Sequence, residues 1–149
     1  MAHKFRIAYI RLTEAHFSIN HQYKWEDGKE IELSHSIEIN CQQATEKDIN
    51  VVVSISSDSD KQPFRFSVAW EGSFAFEEIP SKEEVERIAH INCASIIFAY
   101  VRESVADLTR RAGMPPLNLY PFNFVALYEE KMKSASSVKP RKPRKKSKA

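Results

Sequence analysis

Phe64-Arg65-Phe66-Ser67-Val68-Ala69-Trp70 sets large apolar side chains at every second position, with arginine, serine and alanine between them. That two-residue period is the mark of a β-strand with one buried face. Upstream of it, beyond Ser57-Asp58-Ser59-Asp60, Ile49, Val51, Val53 and Ile55 repeat the pattern. Further back, beyond Ala44-Thr45-Glu46-Lys47-Asp48, Ile31, Leu33, Ile37, Ile39 and Cys41 share one parity, while Glu32, Ser34, Ser36, Glu38, Asn40 and Gln42 share the other. These connections are short enough to join antiparallel neighbours. The run from Phe5 to Ile19 is a fourth candidate, with a change of parity between Tyr9 and Phe17 that indicates a bulge or bend. The reading is four strands with one apolar and one polar face.

Downstream the period changes. Ser81, just after Pro80, has the hydroxyl of an N-cap, and Glu84 three residues on completes a capping box. From Ser81 to Arg111 there is no glycine or proline, and Ala94, Ile97, Phe98, Val101, Val105 and Leu108 recur at spacings of three and four. Arg102, Glu103, Asp107, Arg110 and Arg111 fall on the other side, and Gly113 is placed to end the helix. About thirty residues is long for a globular helix, which allows a break near Cys93.

Gly113-Met114-Pro115-Pro116-Leu117-Asn118-Leu119-Tyr120-Pro121-Phe122 follows. Its three prolines forbid regular structure, yet Met114, Leu117, Leu119, Tyr120 and Phe122 make it far more apolar than a solvated loop, so it needs a cover. A short helix is expected from about Asn123 to Lys133. After it, Ser134 to Ala149 hold seven cations (Lys139, Arg141, Lys142, Arg144, Lys145, Lys146 and Lys148) and no acid. This composition reads as a disordered tail, leaving one domain over residues 1–133. Taking those seven from the chain's 22 cations leaves 15 against 20 acids, so the body is acidic and the tail basic.

The chemistry-bearing residues are sparse. Three glycines (Gly28, Gly72 and Gly113) leave no phosphate cradle, and His3, His16, His21, His35 and His90 show no metal-ligand spacing. His35, at an inward strand position, reads as a core or interface histidine. Cys93 and His90, three residues apart on the helix, are the one pair suited to a thiolate and its base, against the plainer reading of a buried thiol. Cys41 and Cys93 lie fifty-two residues apart with no CxxC element, as expected of reduced thiols. Neither the amino terminus, Met1-Ala2-His3-Lys4-Phe5, nor any later window has the apolar length of a signal peptide or of a bilayer span of ~20 residues, so a cytoplasmic protein is expected. No cofactor, metal or catalytic residue is implied.

Ile91-Asn92-Cys93-Ala94-Ser95-Ile96-Ile97-Phe98-Ala99-Tyr100-Val101-Arg102-Glu103, followed by Pro116-Leu117-Asn118-Leu119-Tyr120-Pro121-Phe122-Asn123-Phe124-Val125-Ala126-Leu127-Tyr128, resembles the helix and PxLNLxPxNFxALF signature of the SecB family of protein-export chaperones. Phe5 to Phe17 and Phe64 to Phe74 extend the likeness to the family's first and fourth strands. The resemblance implies an α+β domain, a four-stranded antiparallel sheet packed on one long helix plus a short C-terminal helix, assembled as a homotetramer from two dimers. It implies that unfolded clients bind grooves lined by Tyr23, Trp25, Phe98, Leu119, Tyr120, Pro121, Phe122 and Phe124. It also places Phe66, Val68 and Trp70 on the strand that governs assembly. Where the family presents acids to the motor ATPase SecA, Glu14 keeps that character and is the candidate translocase contact, while Ser18, Arg65 and Ser67 depart from it.

The expected function is ATP-independent holding of non-native polypeptides, which keeps them competent for export. Three rivals remain: dedicated chaperoning of an antitoxin; binding of nucleic acid, or of an acidic protein or membrane surface, through the basic tail; and a thioesterase of hot-dog type. In the last, the helix follows the first strand, whereas here four strand-like segments precede it.

Overall fold

The computed structural model describes residues 4–26 and 33–137. Four antiparallel strands, β1 (Phe5–Ile19), β2 (Ser36–Gln43), β3 (Asp48–Ser57) and β4 (Phe64–Phe76), form one sheet in the order β1-β4-β3-β2. The two hairpins are those expected from the short turns. β1 pairs with β4, so the chain must pass from one sheet edge to the other before β2 begins. Ile31 and Glu32 of the expected second strand, and Gly28, lie outside the described residues.

The register puts the apolar parity of every strand on one face. Ile49, Val51, Val53 and Ile55 stand opposite Phe74, Gly72, Trp70 and Val68, and Ile37, Ile39 and Cys41 stand opposite Ile55, Val53 and Val51. On β1 the register slips between Ile7 and Tyr9 and again between Leu12 and Glu14. Each slip inserts one residue and flips the parity. As a result Phe5 and Ile7, then Ile10 and Leu12, then Ala15, Phe17 and Ile19 all meet the inward residues of β4. Thr13, at the second slip, donates its hydroxyl to the Ala69 carbonyl at 3.1 Å. The parity change in the sequence is thus two bulges that keep a 15-residue strand in phase with its partner.

The long helix runs as α1 (Lys82–Ile88), a π turn (Ala89–Cys93) and α2 (Ala94–Arg111). The Ser81 hydroxyl accepts from the Glu84 amide at 3.4 Å, as an N-cap does. The π turn is the break allowed near Cys93. Its extra residue puts Ala89, Cys93 and Ala94 on the sheet-facing line that Ile97, Phe98, Val101 and Val105 continue, and all of these are buried. They pack on β3 and β4, where Ile49, Val51, Val53, Ile55, Val68 and Phe74 have no exposed surface. α3 (Phe124–Ser137) ends the described chain. It continues past Lys133, so the expected boundary between residues 133 and 134 falls inside it; residues 138–149 lie outside the described residues.

At Gly72 the sheet leaves no room for a side chain beneath the helix. A Cβ there would stand 2.7 Å from Phe74 Cε2 and 3.0 Å from Ile97 Cδ1. Gly72→Ala is expected to lower the unfolding free energy by about 1–3 kcal/mol through overpacking, measured as a lower urea midpoint with unchanged slope.

Candidate functional site

The proline-rich connection after α2 is held by its backbone. Gly113, at φ 78°, ends the helix: its amide donates to the Arg110 carbonyl at 3.0 Å, and the Met114 amide donates to the Thr109 carbonyl at 3.2 Å. This is the paired closure that a left-handed residue at the helix end permits. Thr109, fully buried, accepts from the Leu117 amide through its hydroxyl at 2.9 Å and donates to the Ala106 and Val105 carbonyls. The helical stripe pointed to Leu108 as the last core position; Leu108 is half-buried, and Thr109 is the anchor that the apolar pattern missed.

Held this way, the connection turns much of its apolar surface inward. Leu119 and Phe124 are 4% and 6% exposed, and Phe98 on α2 is 5% exposed. Phe122, half-buried, meets Phe98 edge-on at 5.2 Å, and its ring lies 5.8 Å from that of His35. Three of the eight residues expected to meet clients, Phe98, Leu119 and Phe124, are therefore core. The reason is that the connection closes one end of the helix–sheet sandwich. Tyr120 is 90% exposed and Pro121 is exposed, so the segment is not sealed. On the crossover Tyr23, half-buried, packs edge-on against Trp25, which is exposed. His35 is exposed and precedes β2, correcting its reading as an inward core residue.

The open cleft lies elsewhere. Between β2 and α3 is a cavity of about 550 Å³ whose apolar lining is Ile37, Ile39, Leu127 and Tyr128, with His90 in its wall and Glu38, Glu130 and Lys131 at its rim. None of the eight expected client residues lines it. Among the described residues β2 is the outermost strand on this side, so the outer row of its backbone donors and acceptors has no ladder partner there. α3 forms the other wall. Its first turn is capped by Asn123, whose side-chain oxygen accepts from the Ala126 amide at 3.1 Å. Lys131 Nζ lies 2.9 Å from His90 Nε2, and His90 Nδ1 lies 2.8 Å from the Glu86 carbonyl oxygen. A carbonyl only accepts, so Nδ1 carries the proton and Nε2 accepts from the lysine. The alternation in β2 placed Ile37 and Ile39 on the sheet's apolar face, but nothing in the sequence signalled that α3 would stand off from them.

The thiols are not set up for chemistry. Burial pushes Cys93 up to about 12 and Cys41 up to about 11. His90 has both nitrogens engaged elsewhere, so the pairing of Cys93 with a base is not formed. Among the described residues no group of three His, Cys, Asp or Glu side chains is placed to hold a metal, and no helix is long and apolar enough to cross a membrane.

The open edges carry the remaining sites. Phe66 and Val68, expected at an assembly interface, are 4% and 0% exposed within the subunit's own core. Trp70 keeps surface; its indole donates to the Ser104 hydroxyl at 2.8 Å and its ring lies 5.1 Å from that of Tyr100. Beside it the inward face of β1 is uncovered, with Ile7 and Leu12 45% and 47% exposed. On the outer face Glu14 accepts from Ser67 at 3.1 Å and lies 3.5 Å from His16, while Glu71 accepts from Tyr9 and Arg11.

An apolar cleft beside an open strand edge is the kind of surface on which an extended chain can be taken up by strand addition. A family model described as preprotein translocase subunit SecB matches residues 4–135, and the chain belongs to the SecB family, a family of chaperones. It is similar to the protein-export protein SecB of Neisseria meningitidis, with 34% identity over 90 residues, which is 60% of either chain. The homologue from Nitrosomonas eutropha is 33% identical over 72% of this chain and 74% of its own. That from Methylobacillus flagellatus is 39% identical over 67% of this chain and 62% of its own. Among solved structures, a SecB-like chaperone of Mycobacterium tuberculosis in complex with an antitoxin peptide superimposes with a TM-score of 0.67 at 21% identity, over 79% of this chain and 90% of that one.

Replacing Thr109 by valine keeps the packing and leaves the Leu117 amide without its acceptor. The expected cost is about 1–3 kcal/mol in urea unfolding, with faster proteolysis between residues 113 and 123, and Thr109→Ser retains most of the wild-type behaviour.

Proposed function

We propose that this protein is an ATP-independent chaperone that holds unfolded polypeptides in extended form and keeps them competent for export. The observation that carries this reading is the cleft between β2 and α3. An extended client laid along β2 adds a strand to the open edge; its backbone bonds require no particular sequence, and alternate side chains reach Ile37, Ile39, Leu127 and Tyr128. Contacts worth about 25 cal/mol per Å² of apolar area accumulate along the client without selecting it. The exposed aromatics Tyr120 and Trp25 provide further contacts outside the cleft. Such work suits a cytoplasmic protein meeting chains before export.

The assembly consistent with this reading is a homotetramer built from two dimers. The uncovered inward face of β1, with Ile7, Leu12, Trp70 and Tyr100, is a contiguous apolar strip that a second copy would cover. The SecA contact expected at Glu14 would meet a carboxylate already shared with Ser67 and His16. Client holding does not depend on it.

In a light-scattering assay without nucleotide, one tetramer per denatured client is expected to suppress aggregation, and no protection at that ratio would sink the proposal. Leu127→Asp, in the cleft, is expected to weaken client binding about tenfold, roughly 1.4 kcal/mol, while Tyr120→Asp has a smaller effect. Equal losses would move the site to the connection. For the assembly, Leu12→Arg is expected to reduce the mass seen by light scattering on a sizing column from four chains to two or one.

A further inference from the structure

We infer that His90 and Lys131 form a proton-sensitive latch that holds α3 against the body, so that protonation of His90 loosens one wall of the cleft. The consequence for clients rests on the cleft reading given above. The first support is where α3 is held. Apart from the aromatic contacts of Phe124 at its start, α3 touches the body chiefly at the π turn that carries His90. There the Lys131 ammonium donates to His90 Nε2 at 2.9 Å, and the Tyr128 ring lies 5.7 Å from the imidazole. His90 itself is 5% exposed, so the ring meets the lysine out of bulk water.

The second support is chemistry. The contact lasts only while Nε2 keeps a free lone pair. His90 Nδ1 donates to the Glu86 carbonyl at 2.8 Å, which fixes the neutral ring in the tautomer that leaves Nε2 as acceptor. A second proton turns Nε2 into a donor and sets two cations against each other at 2.9 Å, where solvent screens them poorly. The charged ring keeps a partner, because the Glu86 carboxylate lies 3.5 Å from Nδ1, and Lys131 is the group that leaves. The other titratable groups around the ring are Cys93 on its own helix, Tyr128 and Glu130 on α3, and Glu38 and Cys41 on β2. The Cys93 and Cys41 thiols, pushed up by burial to about 12 and about 11, stay neutral at physiological pH. The latch is therefore closed above the range in which imidazoles titrate and opens as pH falls through it.

The third support is room to move. α3 has a cavity on either side, about 550 Å³ toward β2 and about 610 Å³ toward α1, and Tyr128 and Lys131 line both. The helix can shift without displacing packed core, and Glu83 and Glu86 in the second cavity offer the released ammonium a partner.

The test uses the full chain beside His90→Gln, whose side-chain oxygen accepts from Lys131 at any pH, and Lys131→Met, which has no latch and changes an exposed position. Hydrogen exchange of the α3 amides is compared among the three proteins at matched pH, at about pH 8 and about pH 5.5. At the higher pH wild type and His90→Gln are expected to exchange alike. At the lower pH the wild type is expected to exchange about tenfold faster than His90→Gln and as fast as Lys131→Met, which opens at both. Nitrogen NMR shifts of the His90 ring at the higher pH are expected to report the Nδ1–H tautomer. Wild-type exchange that matches His90→Gln at both pH values, or an Nε2–H tautomer, overturns the proposal. Binding of a fluorescent unfolded peptide without ionisable side chains is expected to weaken about tenfold in the wild type over the same pH step, and less than about twofold in His90→Gln. An equal fall in both overturns the latch as its cause; no peptide binding by any of the three at the higher pH overturns the cleft reading and leaves the latch to the exchange data.

Discussion

One helix cannot cover four strands. Neighbouring strands lie about 4.8 Å apart, so the outer strands of this sheet are separated by roughly 14 Å, whereas a helix with its side chains is about 10–12 Å across. The long helix settles on β3 and β4, whose inward residues apart from Trp70 are buried, and leaves the inward faces of both outer strands partly bare. Each bare face becomes a site. That of β1 keeps Ile7 and Leu12 in solvent beside Trp70 and Tyr100, while that of β2 is roofed at a distance by α3 and becomes the cleft. On the proposed reading folding and function share a cause, since the surface left uncovered inside the subunit is what would bind other chains.

Joining β1 to β4 while β2 lies at the far edge obliges the chain to pass from one edge to the other, and buried polar groups fix the described arms of that crossing. Gln62, 1% exposed, accepts from the Ser34 amide at 2.7 Å and donates to the Ser57 hydroxyl at 2.6 Å; Ser57 in turn donates to the Ser34 carbonyl. The Gln62 carbonyl meanwhile accepts from the Asn20 side chain at 2.9 Å. One residue therefore pins both arms of the crossover. Thr109 does the same for the connection after α2. Such groups are costly to leave unpaired, so each holds its segment in one geometry more strictly than apolar contact alone would.

This division explains what could be read from the sequence. Strand and helix assignments followed from Phe64 to Trp70, from Ile49 to Ile55 and from Ala94 to Leu108, because burial on one face imposes a period. Even the parity change in β1 was visible, although two bulges and not one bend produce it. The site was harder. Leu119 and Phe124 read as part of an unpartnered apolar surface because their cover, folding of the connection back over α2, depends on hydrogen bonds from Thr109 and Gly113 that leave no apolar pattern, while Phe98, on the helical stripe, joined the client set by resemblance alone. Phe66 and Val68 were assigned to an interface by resemblance, whereas their own alternation already marked them as core. Gln62 carries no periodic signal at all.

α3 is held to the body by side-chain contacts and not by a backbone ladder, and that suits the role proposed for it. Phe124 ties its start to Phe98, and Lys131 ties its middle to His90; between them Leu127 and Tyr128 face both the cleft and the body. A wall held by side chains alone opens at a lower free energy than a laddered strand, so on this reading it would move without unfolding the β3–β4 core beneath the long helix. β2 cannot move in that way, because eight residues of ladder bind it to β3. A client in the cleft would thus meet one rigid edge that aligns its backbone and one yielding wall that admits side chains of different size. A site that fixes the backbone and tolerates the side chains binds chains because they are unfolded, with little regard to which residues they carry.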